Sequence, residues 1–131
     1  MDRKKLTQRL LYLIIFILVI NFLASKLYWY SSVWYIDMIV HFLGGFWVGL
    51  LFLYFFSARG DVHSLIRLLF FVLLIGIGWE VYEVLVNDVF AQIPFNFLDT
   101  ASDILFDLAG GALAMFYFFK RIMFVETNKL Q

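Results

Sequence analysis

Ser64 to Val86 reads S-L-I-R-L-L-F-F-V-L-L-I-G-I-G-W-E-V-Y-E-V-L-V, a run in which the apolar residues are continuous rather than alternating. A helix rises about 1.5 Å per residue, so about 20 such residues cross a hydrocarbon core roughly 30 Å thick. A transmembrane β-strand would alternate apolar and polar positions instead. The run therefore predicts a membrane-spanning helix. Glu80 and Glu83 lie within it, where a charge is expensive and needs a reason.

Three further runs of the same kind lie outward from this one, at about residues 10–27, 35–56 and 98–119. Together the four occupy most of the 131 residues, of which 64% are apolar and 21% aromatic. A water-soluble domain of that composition would leave far too much apolar surface uncovered. The expected fold is all-α: a polytopic membrane protein forming one integral membrane domain over residues 1–131, a four-transmembrane-helix bundle. The basic stretch Arg3, Lys4, Lys5 and Arg9 before Leu10 to Ala24 also suits a secretory signal. No small-residue cleavage site follows, and Asn21 and Lys26 interrupt its place, so the segment reads as an uncleaved first helix. Tyr28, Trp29, Tyr30, Trp34 and Tyr35 then form an interfacial aromatic belt.

With four crossings, Arg3, Lys4, Lys5, Arg9, Arg59, Arg67, Lys120, Arg121 and Lys129 fall on one side and only Lys26 on the other. Basic residues collect on the cytoplasmic side, so both termini are expected there, in a bacterial inner (cytoplasmic) membrane. The absence of Cys excludes disulfides and thiolate chemistry. No Ser nucleophile motif, phosphate loop or nucleic-acid-binding patch is present, so no nucleic-acid partner is expected.

Inside or bordering the spans stand Asp37 and His41 on the second, Glu80 and Glu83 on the third, and Asp99, Asp103 and Asp107 on the fourth. Residues three or four apart share a helix face, so each of these helices carries one acidic stripe, and all three stripes reach the same half of the bilayer. Charged groups at that depth turn inward to a partner or a water-filled cavity. With no Lys or Arg among them, the partner is a proton, a bound cation or His41. Carboxylates with one imidazole suit Mg, Mn, Fe or Zn, and the expected ligands are Asp37, His41, Glu80, Asp103 and Asp107. Asp99 has a competing reading at a helix start, where a carboxylate meets the positive dipole end and Thr100 with Asp103 imitates a capping box. Glu83 and Asp88 can be wetted at the interface. Gly45 with Gly49, and Gly110 with Ala114, form small-x-x-x-small pairs suited to close helix packing, while Gly76 and Gly78 suggest a bend or close contact beside the polar residues.

D-M-I-V-H-F-L-G-G (Asp37 to Gly45), W-E-V-Y-E (Trp79 to Glu83) and D-T-A-S-D-I-L-F-D-L-A-G-G-A (Asp99 to Ala112), in that order, resemble the YjdF-like small bacterial inner-membrane proteins and, more distantly, the VanZ-like proteins. The VanZ-like pattern has Asn or Gln at some of these acidic places and an Arg before the last motif, whereas this chain has Asp107 and no such Arg. The resemblance implies a shared polar site at Asp37, His41, Glu80, Glu83, Asp99, Asp103 and Asp107. It implies no particular reaction.

The function expected from these residues is a cation-binding site in the outer half of the bilayer, serving a metal-dependent hydrolase or transferase on a membrane lipid or lipid-linked substrate, with Glu80 or Glu83 as general base. The alternatives are a proton- or cation-coupled transporter or channel subunit, and a non-catalytic membrane partner whose acids specify packing. Whether the chain is an enzyme, and whether it forms oligomers, stays open at this point.

Overall fold

The structure is a computed structural model describing residues 3–56 and 58–123. Lys129 and the carboxyl-terminal end, expected on the cytoplasmic side, lie outside the described residues. The elements are α1 (Arg3–Lys26), the short α2 (Trp29–Ser32), α3 (Ile36–Phe55), α4 (Val62–Val86) and α5 (Phe97–Tyr117). Helices α4 and α5 continue into π-helical turns, Asn87–Ala91 and Phe118–Met123. The described residues contain no strand, and four of the helices are long and apolar enough to cross a membrane.

Local chemistry sets the helix ends. The Asp61 carboxylate accepts a hydrogen bond from the Ser64 backbone N–H at 2.8 Å and caps α4. Asn96 caps α5, its side-chain oxygen accepting from Leu98 N–H at 3.2 Å. This corrects the capping-box reading of Thr100 with Asp103: the helix starts at Phe97, close to the expected residue 98, but its cap is Asn96, which leaves Asp103 inside α5 and buried. Helix α1 begins within the basic stretch rather than at Leu10, because backbone hydrogen bonding continues into the charged turn, where Thr7 Oγ1 donates to the Arg3 carbonyl at 2.8 Å.

Helix α3 is central and touches α1, α4 and α5. Its closest approach is to α5, and glycines make that approach: a Cβ at Gly45 would collide with the Asp107 backbone, and one at Gly110 with the Phe42 carbonyl. One turn further along, a Cβ at Gly49 would stand 2.8 Å from the Ala114 Cβ. The small-residue pattern thus serves backbone contact, the usual means of helix association in lipid. Helix α4 closes on α5 where Val72 meets Gly111, and Leu50, Leu53, Leu68, Val72, Ala114 and Met115 form the core there. Helix α1 attaches to α3 through the Trp47 Nε1–H, which donates to the Leu10 carbonyl at 2.9 Å. Outward-facing Phe16, Phe22, Phe70 and Phe116 are exposed, as residues facing acyl chains should be.

Arg3 stacks on Tyr54 and Arg9 on Tyr117, which places the start of α1 beside the ends of α3 and α5. That end also carries the α3–α4 link with Arg59, so the basic residues other than Lys26 that fall among the described residues gather at one end of the bundle.

Gly44 and Gly45 are adjacent, yet a Cβ at Gly44 meets nothing within 4 Å. Gly45→Ala is expected to destabilise the detergent-purified protein by about 1–3 kcal/mol or more through overpacking. Gly44→Ala should be neutral or stabilising by up to about 1 kcal/mol, since alanine is the better helix former. Thermal melting of the two variants side by side checks the crossing.

Candidate metal centre

Helices α3 and α5 start, and α4 finishes, at the end of the bundle away from the basic residues. Asp37 lies in the first turn of α3 and His41 one turn deeper on the same face. Asp103 and Asp107 are likewise four residues apart on α5, and Glu80 approaches from α4. Four of these side chains are buried: His41 is 6% exposed, Glu80 6%, Asp103 2% and Asp107 7%. Asp37 and Glu83 are half-buried, at the mouth.

The imidazole of His41 is the hub, and its two nitrogens have different surroundings. Nδ1 lies 3.3 Å from Asp107 Oδ1, a hydrogen bond between α3 and α5. With Asp107 ionised the carboxylate only accepts, and Nδ1 is then the donor in this contact. Nε2 faces Glu80 Oε1 at 3.6 Å, Asp37 Oδ1 at 3.8 Å and Asp103 Oδ2 at 3.9 Å. These separations exceed a hydrogen bond. They match the spacing of ligand atoms around one ion, since ligands held about 2.0–2.2 Å from a divalent cation stand roughly 3–4 Å apart. Glu80 Oε1 and Asp103 Oδ1 are buried without a hydrogen-bond partner, an arrangement that costs free energy unless a proton, a water or a cation satisfies them.

Two triads with mutually close ligand atoms share the imidazole: Asp37, His41 and Asp103, and His41, Glu80 and Glu83. Each draws on two helices, so either could hold a metal ion only when the bundle is assembled. The five expected ligands come together, with Asp107 on the opposite nitrogen from the other three carboxylates. Glu83 joins them through the second triad. Asp99 remains exposed in the first turn of α5, its backbone carbonyl accepting from Ser102 Oγ at 2.7 Å. Gly76 makes room for the centre, because a Cβ there would stand 2.6 Å from Asp107 Oδ2. Gly78 has open space around it and makes no such contact.

Two residues near the mouth were not singled out from the sequence as part of this region. The Tyr30 hydroxyl donates to Asn21 Oδ1, tying the turn after α1 to α1 itself. Burial, with the nearby carboxylates of Asp37 and Glu83, pushes the Tyr30 hydroxyl up to about 12, so it remains a donor at neutral pH. An Asn inside an apolar helix was the available signal for this contact; Tyr30 was submerged in the aromatic belt around it.

A family model described as "Predicted membrane protein (DUF2238)" matches residues 2–123. The chain belongs to that family, in agreement with its resemblance to the YjdF-like membrane proteins. Its apolar helices and this family together make it a multi-pass membrane protein. No curated protein and no solved structure matches the chain.

The contact between His41 and Asp107 predicts energetic coupling. In a cycle of His41→Gln, Asp107→Asn and the double variant, the losses should fall short of or exceed additivity by about 0.5–2 kcal/mol. Additivity within error would mean that the two side chains do not touch.

Proposed function

We propose that this family member is a membrane-embedded divalent-cation centre acting on a lipid or lipid-linked substrate. In this reading His41 Nε2, Asp37, Glu80 and Asp103 hold the ion, Asp107 positions the imidazole, and Glu83 is the general base. One observation carries it: a histidine nitrogen facing three carboxylate oxygens at 3.6–3.9 Å, with buried carboxylate oxygens left unpartnered beside it.

The donor set suits Mg, Mn, Fe or Zn, being one imidazole with carboxylates and no sulfur. Asp107 has the place of the carboxylate that commonly orients a metal-bound histidine through its other nitrogen. It fixes the tautomer that leaves the Nε2 lone pair free. A bound divalent ion would bring a water's pKa toward neutrality and polarise an ester oxygen. Half-buried Glu83, one turn from Glu80 toward the end of α4, could take up the proton and pass it to water. The apolar core of Leu50, Leu53, Leu68, Val72 and Met115 fills the other half of the bundle, which favours a site open on one side over a through-path for ions.

The positive-inside rule makes the basic end cytoplasmic and puts the carboxylates in the outer half of a bacterial cytoplasmic membrane. The chain has no Cys, so single-cysteine variants can be labelled in intact cells with an impermeant maleimide. Ser31→Cys and Ile93→Cys should react from outside, and His63→Cys only after permeabilisation. The reverse pattern would invert the orientation.

Protein purified in detergent without chelator should contain about one equivalent of divalent metal by elemental analysis, and His41→Ala or Asp103→Asn should lose it. Asp107→Asn keeps the shape but removes a charge, so metal affinity should fall about 10–100-fold. In chelator the same variant should lose little or no stability, because asparagine keeps an acceptor for Nδ1 while one negative charge leaves the carboxylate cluster. Asp107→Asn melting higher than the parent with metal present would overturn the metal reading and leave the acids as a packing or relay element.

A further inference from the structure

At the basic end, between the start of α4 and the end of α5, lies an open groove of about 440 Å³. Its walls are largely apolar: Val62, Leu65, Ala112, Met115, Phe116 and Phe119. Gly60, at φ +74°, lets the incoming chain turn against the Phe119 ring, where a Cβ would sit 3.5 Å away, and this closes one end of the groove.

Basic residues neighbour the groove. Lys120 Nζ stands over the ring of the wall residue Phe116, 5.3 Å from its centroid. Exposed Arg59 directly precedes Gly60. Arg67 Nη2 donates to Ser64 Oγ at 3.2 Å, one turn along the same helix. The groove lining also holds one carboxylate, Asp61, which accepts from the Ser64 backbone N–H in capping α4 and keeps its negative charge, so a bound anion must sit on the Lys120 side. An apolar trough opening onto cations, at the depth where a spanning helix ends, has the polarity of an anionic amphiphile in reverse. A second copy of this chain fits less well, because a two-fold contact at this face would gather the basic residues of both copies in one interface.

We propose that this groove binds the acyl chain of an anionic phospholipid, with its phosphate on Lys120 and Arg59. Membrane proteins commonly present basic pockets between helices to anionic headgroups on the cytoplasmic side. The inference is independent of the metal reading, since no residue is shared between the two sites.

The test is native mass spectrometry of the full chain from detergent micelles doped with phosphatidylglycerol or with phosphatidylcholine of identical acyl chains. Phosphatidylglycerol should be retained preferentially, as one bound lipid. Lys120→Ala should weaken that retention roughly fivefold, the effect of about one cation near an anionic headgroup, without changing the weak binding of phosphatidylcholine. Ala112→Phe, which fills the groove, should abolish retention of both. Should that variant fail to fold, Lys120→Ala still decides. Equal retention of the two lipids, an unchanged Lys120→Ala variant, or a dimer whose abundance ignores phosphatidylglycerol would each overturn the proposal.

Discussion

Helices in lipid gain little by hiding apolar side chains from one another, because the acyl chains around them are just as apolar. What holds α3 to α5 is instead how closely two backbones approach at Gly45 and Gly110. The polar centre depends on that approach. His41 lies one turn before Gly45, and the Asp107 backbone is what a Cβ at Gly45 would strike, so the crossing brings Nδ1 and Oδ1 to 3.3 Å. Helix α4 completes the arrangement at two glycines. Val72 packs against Gly111 on α5, while Gly76 on α4 leaves the space that the Asp107 carboxylate occupies. The small residues that assemble the bundle therefore also set the dimensions of the polar centre.

Gathering carboxylates at such a point works against assembly unless their charge is met. Taking an ion out of water costs several kcal/mol or more even after relaxation, and like charges at short range add repulsion. A single imidazole cannot hydrogen-bond four carboxylates, since it has two nitrogens and Asp107 takes one of them. The distances on the Nε2 side are those of groups arranged around a shared centre rather than bonded in pairs. A proton at Nε2 could satisfy one of the three oxygens it faces; a cation placed among them can satisfy all three. Protons on the carboxylates themselves are the other way to meet their charge, and the cation is the partner that the proposed function assigns to the centre.

Much of this was legible in the sequence because lipid imposes simple rules. Continuous apolar runs of spanning length could only be helices, and residues three or four apart could only share a face, so Asp37 with His41, and Asp103 with Asp107, were readable as stripes. Chain direction alternates with each crossing, and that brought the three stripes to one end before any contact was known. What the pattern could not show was which atom faces which. That Asp107 meets Nδ1 while three other carboxylates meet Nε2 depends on side-chain torsions and on the clearance at Gly76. Periodicity likewise does not distinguish Gly44 from Gly45, although one points to open space and the other to a backbone. The start of α5 was legible to within a residue, but its cap was not: Thr100 and Asp103 have the composition of a cap, whereas Asn96, a turn earlier, has the geometry of one.

The four helices do not share the work equally, and burial says how. Only 11% of the most apolar window of α1 is buried, against 39% for α5, so α1 is chiefly a lipid-facing helix laid against α3. It contributes no carboxylate or imidazole to the centre. Besides the stacking of Arg3 and Arg9 at the basic end, hydrogen bonds from Trp47 to Leu10 and from Tyr30 to Asn21 attach it at different levels of the bundle, one beside the apolar core and the other near the mouth. The polar centre is thus the product of α3, α4 and α5, each with buried charge on one face and lipid on the other. In those helices a single turn must meet two opposing demands, close packing and charge compensation. Glycine beside a carboxylate meets both, as Gly76 does for Asp107: it removes the side chain that would occupy the carboxylate's space and leaves the charge free to face the imidazole.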